Sequence, residues 1–297
     1  MHKFKRLTFL IIMLVVLLPG IPQVAANDKT EQPVSNTNNF KVMSYNLRYA
    51  SDTSPNSWAE RRPVMAQLLN KEKPDILGIQ EGLYSQLKDL HADMPQYDWI
   101  GIGRKGGSKD EYTAVFYNKN RFTPLEYDYF WLSDTPNVIG STTWGNKIPR
   151  MVTWVKFLDT KTKQEFYFVN THFDHISVEA REKSAALIVQ KVNEFDPKLP
   201  VILTGDFNTA PGTNPYQTLI NEGKFLDTWE TAETRIGENL GTFNGFNNPT
   251  GGDHRIDWIL YKGNITVKQA EINDFIKNGQ YPSDHFPVIA EMVLNSK

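Results

Sequence analysis

Two stretches of this chain follow one plan, and that repetition constrains the fold more than any other feature. "KVMSYNLR" (41–48) is an alternating strand that ends in polar residues and is followed by a loop, a helical pattern and the apolar run "PDILGIQE" (74–81). "FYFVNTHFDH" (166–175) likewise leads through a loop and a helical pattern to "LPVILTGDFN" (199–208). Asn46 and Glu81 are 35 positions apart, and His172 and Asp206 are 34. Each unit is therefore a β–α–β, and its second strand is a continuous apolar run, as suits a strand covered on both faces. This is an α/β chain built from two similar halves. Open α/β sheets present ligands at the C-terminal ends of their strands. If the two units face one another, Asn46, Glu81, His172 and Asp206 share one rim.

Periodicity places strands at 40–45, 75–80, 112–118, 151–157, 165–170, 200–205, 256–261 and 286–294, and helices at 58–71 and 178–195. Ser57 and Glu60 have capping-box spacing ahead of the first helix, although Pro63 leaves its start open. Ser177 is the expected N-cap of the second. "EYDYFWL" (126–132) reads as a core strand, and the Gly/Asn-rich stretch 241–252 as a loop near the cleft.

The N-terminus has the form of a secretory leader. Lys3, Lys5 and Arg6 precede the apolar run Leu7–Leu18, and Val24-Ala25-Ala26 offers a cleavage site, so residues 1–26 are expected to be a signal peptide. Residues 27–39 are polar and read as a disordered linker. The remaining stretch, 40–297, about 258 residues, suffices for a single domain. The chain has no cysteine, which excludes disulfides and lipid attachment at a cysteine. Removing Lys3, Lys5 and Arg6 with the leader takes the formal net charge from −2 to about −5. Such a chain is not built to grip polyanions broadly.

Several single residues carry chemistry. Glu81 ends its apolar run abruptly, which suits either a solvated strand end or a ligand. In "TGDFN", Gly205 permits an unusual turn, while Asp206 and Asn208 offer a carboxylate and an amide; an Asx-turn would use the same residues. In "RIDWIL", Asp257 stands between Ile256 and Trp258, a costly place for an unpaired charge. A histidine would satisfy it, and "PSDH" supplies His285 at the mouth of the last strand, beside Asp284.

The ordered set "SYNLR", "GIQE", "NTHFDH", "TGDFN", "RIDWIL" and "PSDH" resembles the endonuclease/exonuclease/phosphatase superfamily over the whole of 40–297. The resemblance implies a four-layered α/β sandwich, two packed sheets flanked by helices, and a metal-dependent phosphoester hydrolase. It implies Mg²⁺, with Mn²⁺ as a substitute, held by Glu81 with Asn46 and Asp284. His172, Asp206, Asn208, Asp257 and His285 are the implied catalytic group, with His285 either base or cationic clamp. Arg150, in "PRMVTWVKF", is the implied phosphate contact, or equally an arginine paired with a nearby acid. Glu111 is available to steady His172, and Asp174 and His175 to touch substrate.

The motifs leave nucleic acid, phospholipid and small phosphoesters open as substrates, and an extracellular nuclease is the main alternative. A glycoside hydrolase using Glu81 and Asp206 would leave both histidines idle. An inactive binding module would have no need of Asp257 behind His285. The expected molecule is a secreted monomer with no membrane span once the leader is removed.

Overall fold

The computed structural model describes residues 38–295; the expected leader, and the linker up to residue 37, lie outside the described residues. The first unit is β1 (Phe40–Asn46), α1 (Trp58–Glu72) and β2 (Ile76–Gln80), with β1 and β2 parallel. It is followed by α2 (Tyr84–Asp93), β3 (Tyr97–Ile100) and β4 (Val115–Asn118). After β5 (Phe122–Trp131) and β6 (Met151–Asp159) comes the second unit, β7 (Glu165–His172), α3 (Val178–Val192) and β8 (Val201–Asp206), again with parallel strands. The chain closes with α4 (Asn214–Gln217), a π-helical turn, β9 (Leu226–Asp227), α5 (Thr228–Thr231), β10 (Thr234–Ile236), β11 (Asp257–Lys262), β12 (Ile265–Ile272) and β13 (Val288–Leu294).

One sheet has seven strands in the order β10-β12-β13-β1-β2-β4-β3, the other six in the order β5-β6-β7-β8-β11-β9. In each, the parallel pair sits between two antiparallel neighbours, so the duplication extends to the flanking strands. Between the sheets lies a core that includes Phe40, Val42, Ile76, Phe166, Phe168, Ile202 and Ile259. Outside the first sheet, α1 and α2 bury Met65, Leu68, Leu87 and Leu90 against Met43, Tyr45, Leu77 and Ile79. Outside the second, α3 buries Ala185, Ile188, Val189 and Val192 among Val169, Leu203 and Trp258. These are the four layers of the expected sandwich.

The helix starts follow the capping residues. Ser57 and Glu60 close a reciprocal box, and α1 begins at Trp58 with Pro63 inside it. The Ser177 side chain accepts from the Ala180 amide. Four expectations need correction. "EYDYFWL" is strand, but on the sheet edge, where Tyr127 is exposed and burial begins only at Phe130. Gly205 is not in a turn: it lies inside β8, where a Cβ would come within 2.7 Å of the Thr171 carbonyl on the neighbouring strand. The left-handed residue of that motif is Asn208, with φ 50°. The strand expected over 112–118 pairs as a ladder only from Val115, and α3 stops at Val192.

Candidate active site

Because side chains alternate along a strand, one residue in two faces the gap between the sheets. On β1 that face runs Phe40, Val42, Ser44, Asn46; on β7 it runs Phe166, Phe168, Asn170, His172; on β8 it runs Ile202, Thr204, Asp206. Each begins apolar and turns polar toward its C-terminal end. Antiparallel β11 presents the same order reversed, Asp257 and then Ile259, with Asp257 opposite Asp206. The gap is thus sealed by core at one end and lined with hydrogen-bonding groups at the other.

The four rim residues meet. Asn46 Nδ2 donates to Glu81 Oε1 at 3.1 Å and to Asp206 Oδ2 at 3.0 Å, and His172 Nε2 stands 3.5 Å from the same Asp206 oxygen. Glu81 adopts a left-handed backbone, φ 62°, a conformation uncommon outside glycine and one often found at functional sites. On the side of the first sheet stand the carboxylates of Glu81 and Asp284, with the Asn46 amide against Glu81 and its carbonyl accepting from the Arg48 backbone amide at 2.9 Å. The Arg48 guanidinium lies 3.9 Å from Glu81 Oε2 and 3.7 Å from Asp284 Oδ2, so a single cation reaches both carboxylates. Burial pushes Asp284 above the ordinary carboxylate range; His285 pulls it down and the Glu81 charge pushes it up again. Hard oxygen ligands around a site of excess negative charge fit a divalent cation such as Mg²⁺ or Mn²⁺.

A second acidic group, Asp206, Asp257 and His285, has ligand atoms within 4.8 Å of one another. Its histidine is already engaged by a carboxylate. His285 Nδ1 lies 2.9 Å from Asp257 Oδ2, and that hydrogen bond joins the segment leading into β13 to the first residue of β11. Burial alone would lower the His285 pKa, but the Asp257 and Asp206 carboxylates push it up to about 10. His172 is the opposite case, because burial, then Arg150 and Arg104, hold it well below the ordinary histidine range. One histidine is therefore cationic and the other neutral, a few ångströms apart around Asp206. Burial and then the Asp257 charge raise Asp206 itself above an ordinary carboxylate, which makes it a better proton acceptor. Asp206 Oδ1 accepts from the Asn208 amide at 2.9 Å, and Asn208 Nδ2 donates to the Phe173 carbonyl at 3.0 Å.

Glu81, His172, Asp206, Asn208, Asp284 and His285 line a cavity of about 390 Å³, walled also by Arg48, Arg104, Arg150, Ile148 and Phe243, while Asn46 and Asp257 are fully buried. The 241–252 loop does border the cleft, since the Phe243 ring meets His285 edge-on at 5.1 Å. Arg150 is in the wall, deeply buried, with its Nη2 3.1 Å from His175 Nδ1 and its Nε 3.8 Å from Asp174. Asp174 is chiefly structural, accepting from the Ile176 and Ser177 amides at the start of α3. Glu111 does not steady His172; it grips Arg104 through two hydrogen bonds, 2.7 and 2.9 Å.

Two residues escaped sequence reading. Arg104 reaches the cavity from the loop between β3 and β4, which has no periodic pattern to read. Arg61 is fully buried and donates to the carbonyls of Leu47, Arg48, Tyr49, Asn56 and Pro282. It thereby ties the loop after Asn46 to the segment before Asp284. A signal for it existed: Arg61 falls on the apolar stripe of α1, between Trp58 and Met65, where a charge must find partners.

A model of the Endonuclease/Exonuclease/phosphatase family matches residues 43–285. The structure of a mannosyl-6-phosphatase from Bacteroides thetaiotaomicron superimposes with a TM-score of 0.81 at 37% identity, covering 86% of this chain and 99% of that one. An uncharacterized protein of Acanthamoeba polyphaga mimivirus is 30% identical over 272 residues, 84% of this chain and 98% of its own. A probable RNA exonuclease of Saccharomyces cerevisiae is 26% identical over 209 residues, 63% of this chain but only 41% of that protein.

Proposed function

We propose, for a chain that belongs to the endonuclease/exonuclease/phosphatase family, that it is a secreted, Mg²⁺-dependent phosphatase of compact phosphomonoesters. That it is a metal-dependent phosphoester hydrolase follows from the family; the ion, the substrate and the location are the reading offered here. The observation that carries the substrate is the cavity: about 390 Å³, with the size of a small-molecule site. Its cations already have protein partners. Arg48 lies between Glu81 and Asp284, and Arg104 holds Glu111 and Asp110. Beyond the cavity, Arg255 pairs with Asp227 and Glu230, and Arg181 donates to the Asp174 carbonyl. A long polyanion needs a run of unengaged cations outside the site, and the net charge of the mature chain opposes it. The mannosyl-6-phosphatase in the comparison supports the same reading.

The chemistry assigned to each residue follows from its protonation and position. Glu81, Asp284 and Asn46 would hold the divalent cation, which when bound supplies charge neutralisation at the phosphate oxygens. Asp206, with Asn208 and Asn46 fixing its carboxylate, orients the attacking water and accepts its proton. Cationic His285, 3.8 Å from Asp206 Oδ2 and held by Asp257, stabilises negative charge as the ester bond breaks. Neutral His172 offers a hydrogen bond without competing for that charge. Phe243, Ile148 and Ile256 leave an apolar wall for the departing alkoxide, which takes a proton from solvent to leave as the alcohol.

The substrate reading is tested by kcat/KM against ionic strength at fixed free Mg²⁺, for small sugar phosphates and for duplex DNA and RNA. Shallow slopes, with the small monoester preferred, are expected. Each neutralised phosphate steepens the slope by roughly 0.9, so a slope of about −4 on duplex DNA with efficient cleavage at low salt would make the chain a nuclease. For location, the chain is expected in the culture medium and shortened after Ala26; retention of the intact N-terminus in cells would contradict secretion.

A further inference from the structure

One step below the rim, on the same faces of the same strands, lies a second polar layer that touches no candidate substrate. It consists of Ser44 on β1, Gly78 and Gln80 on β2, Asn170 on β7 and Thr204 on β8, all fully buried. Asn170 is its centre. From the six-stranded sheet, its Nδ2 crosses the gap and donates to the backbone carbonyls of Ile79 at 2.8 Å and Ala114 at 3.0 Å. Its Oδ1 accepts from Gln80 Nε2 at 2.8 Å and from Thr204 Oγ1 at 3.0 Å. Gln80 Nε2 also reaches Ser44 Oγ at 3.3 Å. Two donors and two acceptor positions of one amide are all engaged, and three of the four partners lie on the side of the opposite sheet.

The opposite wall is shaped for this crossing. A Cβ at Gly78 would collide with the Thr204 hydroxyl and sit 2.7 Å from Asn170 Oδ1, so only glycine leaves the slot that Asn170 fills. Around it the gap is otherwise packed with Phe, Val and Ile, whose contacts are non-directional and tolerate sliding. A satisfied buried amide does not tolerate it, because displacement by about an ångström leaves carbonyls and hydroxyl unpaired in a low-dielectric core.

What the layer aligns is the active site itself. Of the metal-holding residues, Asn46 ends β1, Glu81 directly follows β2 and Asp284 stands in the segment before β13, all strands of the seven-stranded sheet. His172, Asp206 and Asp257 lie on strands of the six-stranded sheet, Asn208 just after β8, and His285, beside Asp284, reaches across to Asp257. Ile79, whose carbonyl Asn170 grips, is two residues before Glu81; Asn170 is two before His172, and Thr204 two before Asp206. We infer that Asn170 is a positioning residue, an inter-sheet clasp that sets the distance between the metal-holding half of the site and the half that orients water and phosphate. The inference rests on phosphoester hydrolysis by the family, not on the choice of substrate.

The test uses the full chain with Asn170→Leu and the milder Thr204→Val, which removes the 3.0 Å bond to Asn170 and the longer contact to the Val169 carbonyl at nearly constant shape. Each is assayed well below its Tm on a phosphoester that the unaltered chain turns over, and titrated calorimetrically with Mn²⁺. A reacting group misplaced by about 1 Å costs about a hundredfold in rate. The expected result is a kcat loss of that order for Asn170→Leu and a several-fold loss for Thr204→Val, with KM and Mn²⁺ affinity unchanged in both. The Mn²⁺ site should survive because Asn170 bonds to none of its ligands, which end or flank strands of the seven-stranded sheet. A lowered Tm with unchanged kcat in folded Thr204→Val would overturn the inference and leave the layer purely stabilising. So would a parallel fall in kcat and Mn²⁺ affinity, which would place the damage at Glu81. If the unaltered chain turns over only nucleic acid, the substrate reading fails and this test proceeds on that substrate.

Discussion

Chelation is expected to abolish turnover, and Mg²⁺ or Mn²⁺ to restore it. Glu81→Gln should keep the fold and shift half-saturation by metal upward by about two decades, since affinity at oxygen sites follows the charge count of the ligands. The geometry makes the effect specific. The amide introduced by Glu81→Gln would retain an oxygen to accept from Asn46 Nδ2, now 3.1 Å from Glu81 Oε1, but not the charge that faces Arg48. In the variant, Arg48 and Asp284 would be left as a neutralised pair, 3.7 Å apart, with little residual field for a divalent ion. Assaying hydrolysis across a Mg²⁺ series, with chelator at the zero point, decides the matter. Full activity in chelator would remove Glu81, Asn46 and Asp284 from the roles assigned to them.

His285→Ala and Asp257→Asn are each expected to lower kcat by about 10²–10⁴-fold, the range for lost acid–base or electrostatic groups. Asp257 acts through His285: its Oδ2 is 2.9 Å from Nδ1, and its charge leads the opposition to burial that keeps the imidazole protonated. Without that charge, His285 loses the main support for its cation. The double variant should therefore be little worse than the worse single one, as expected of residues that act as a unit. Losses that multiply in full would assign Asp257 to another partner, with Asp206, its neighbour across the β8–β11 ladder, the nearest candidate. The sign of the stability effect also follows. A histidine whose folded pKa is raised to about 10 stabilises the fold fully below the ordinary histidine range and progressively less as the pH rises toward 10.

Much of this site was legible from the chain alone, and the reason is local. Alternation along a strand needs no partner to be read: Phe40, Val42, Ser44 and Asn46 lie on one face because backbone geometry puts them there. The change from apolar to polar along that face, repeated before His172 and Asp206, pointed to a common rim. The buried acid Asp257 announced a partner by the cost of leaving it unpaired, and His285 is that partner. The capping residues and apolar runs were likewise short-range features. Edge and centre could not be told apart this way, so "EYDYFWL" was expected in the core and lies at the sheet margin.

Only the tertiary structure decided what depends on company. Two histidines of the same intrinsic pKa, both beside Asp206, end up in opposite protonation states because at His285 the Asp257 and Asp206 charges outweigh burial, whereas at His172 burial prevails, reinforced by Arg150 and Arg104. Glu111, a free candidate in the sequence, is claimed by Arg104, and Arg61 holds together loops separated by more than two hundred positions. Asn170 is one polar residue among many in the sequence, and becomes a clasp only when Gly78 of the other sheet comes to face it. The chain's own periodicity determines which face each side chain takes. Which distant groups then share one dry, low-dielectric gap is decided by how the two sheets pack, and it is there that charge and alignment acquire their chemical consequences.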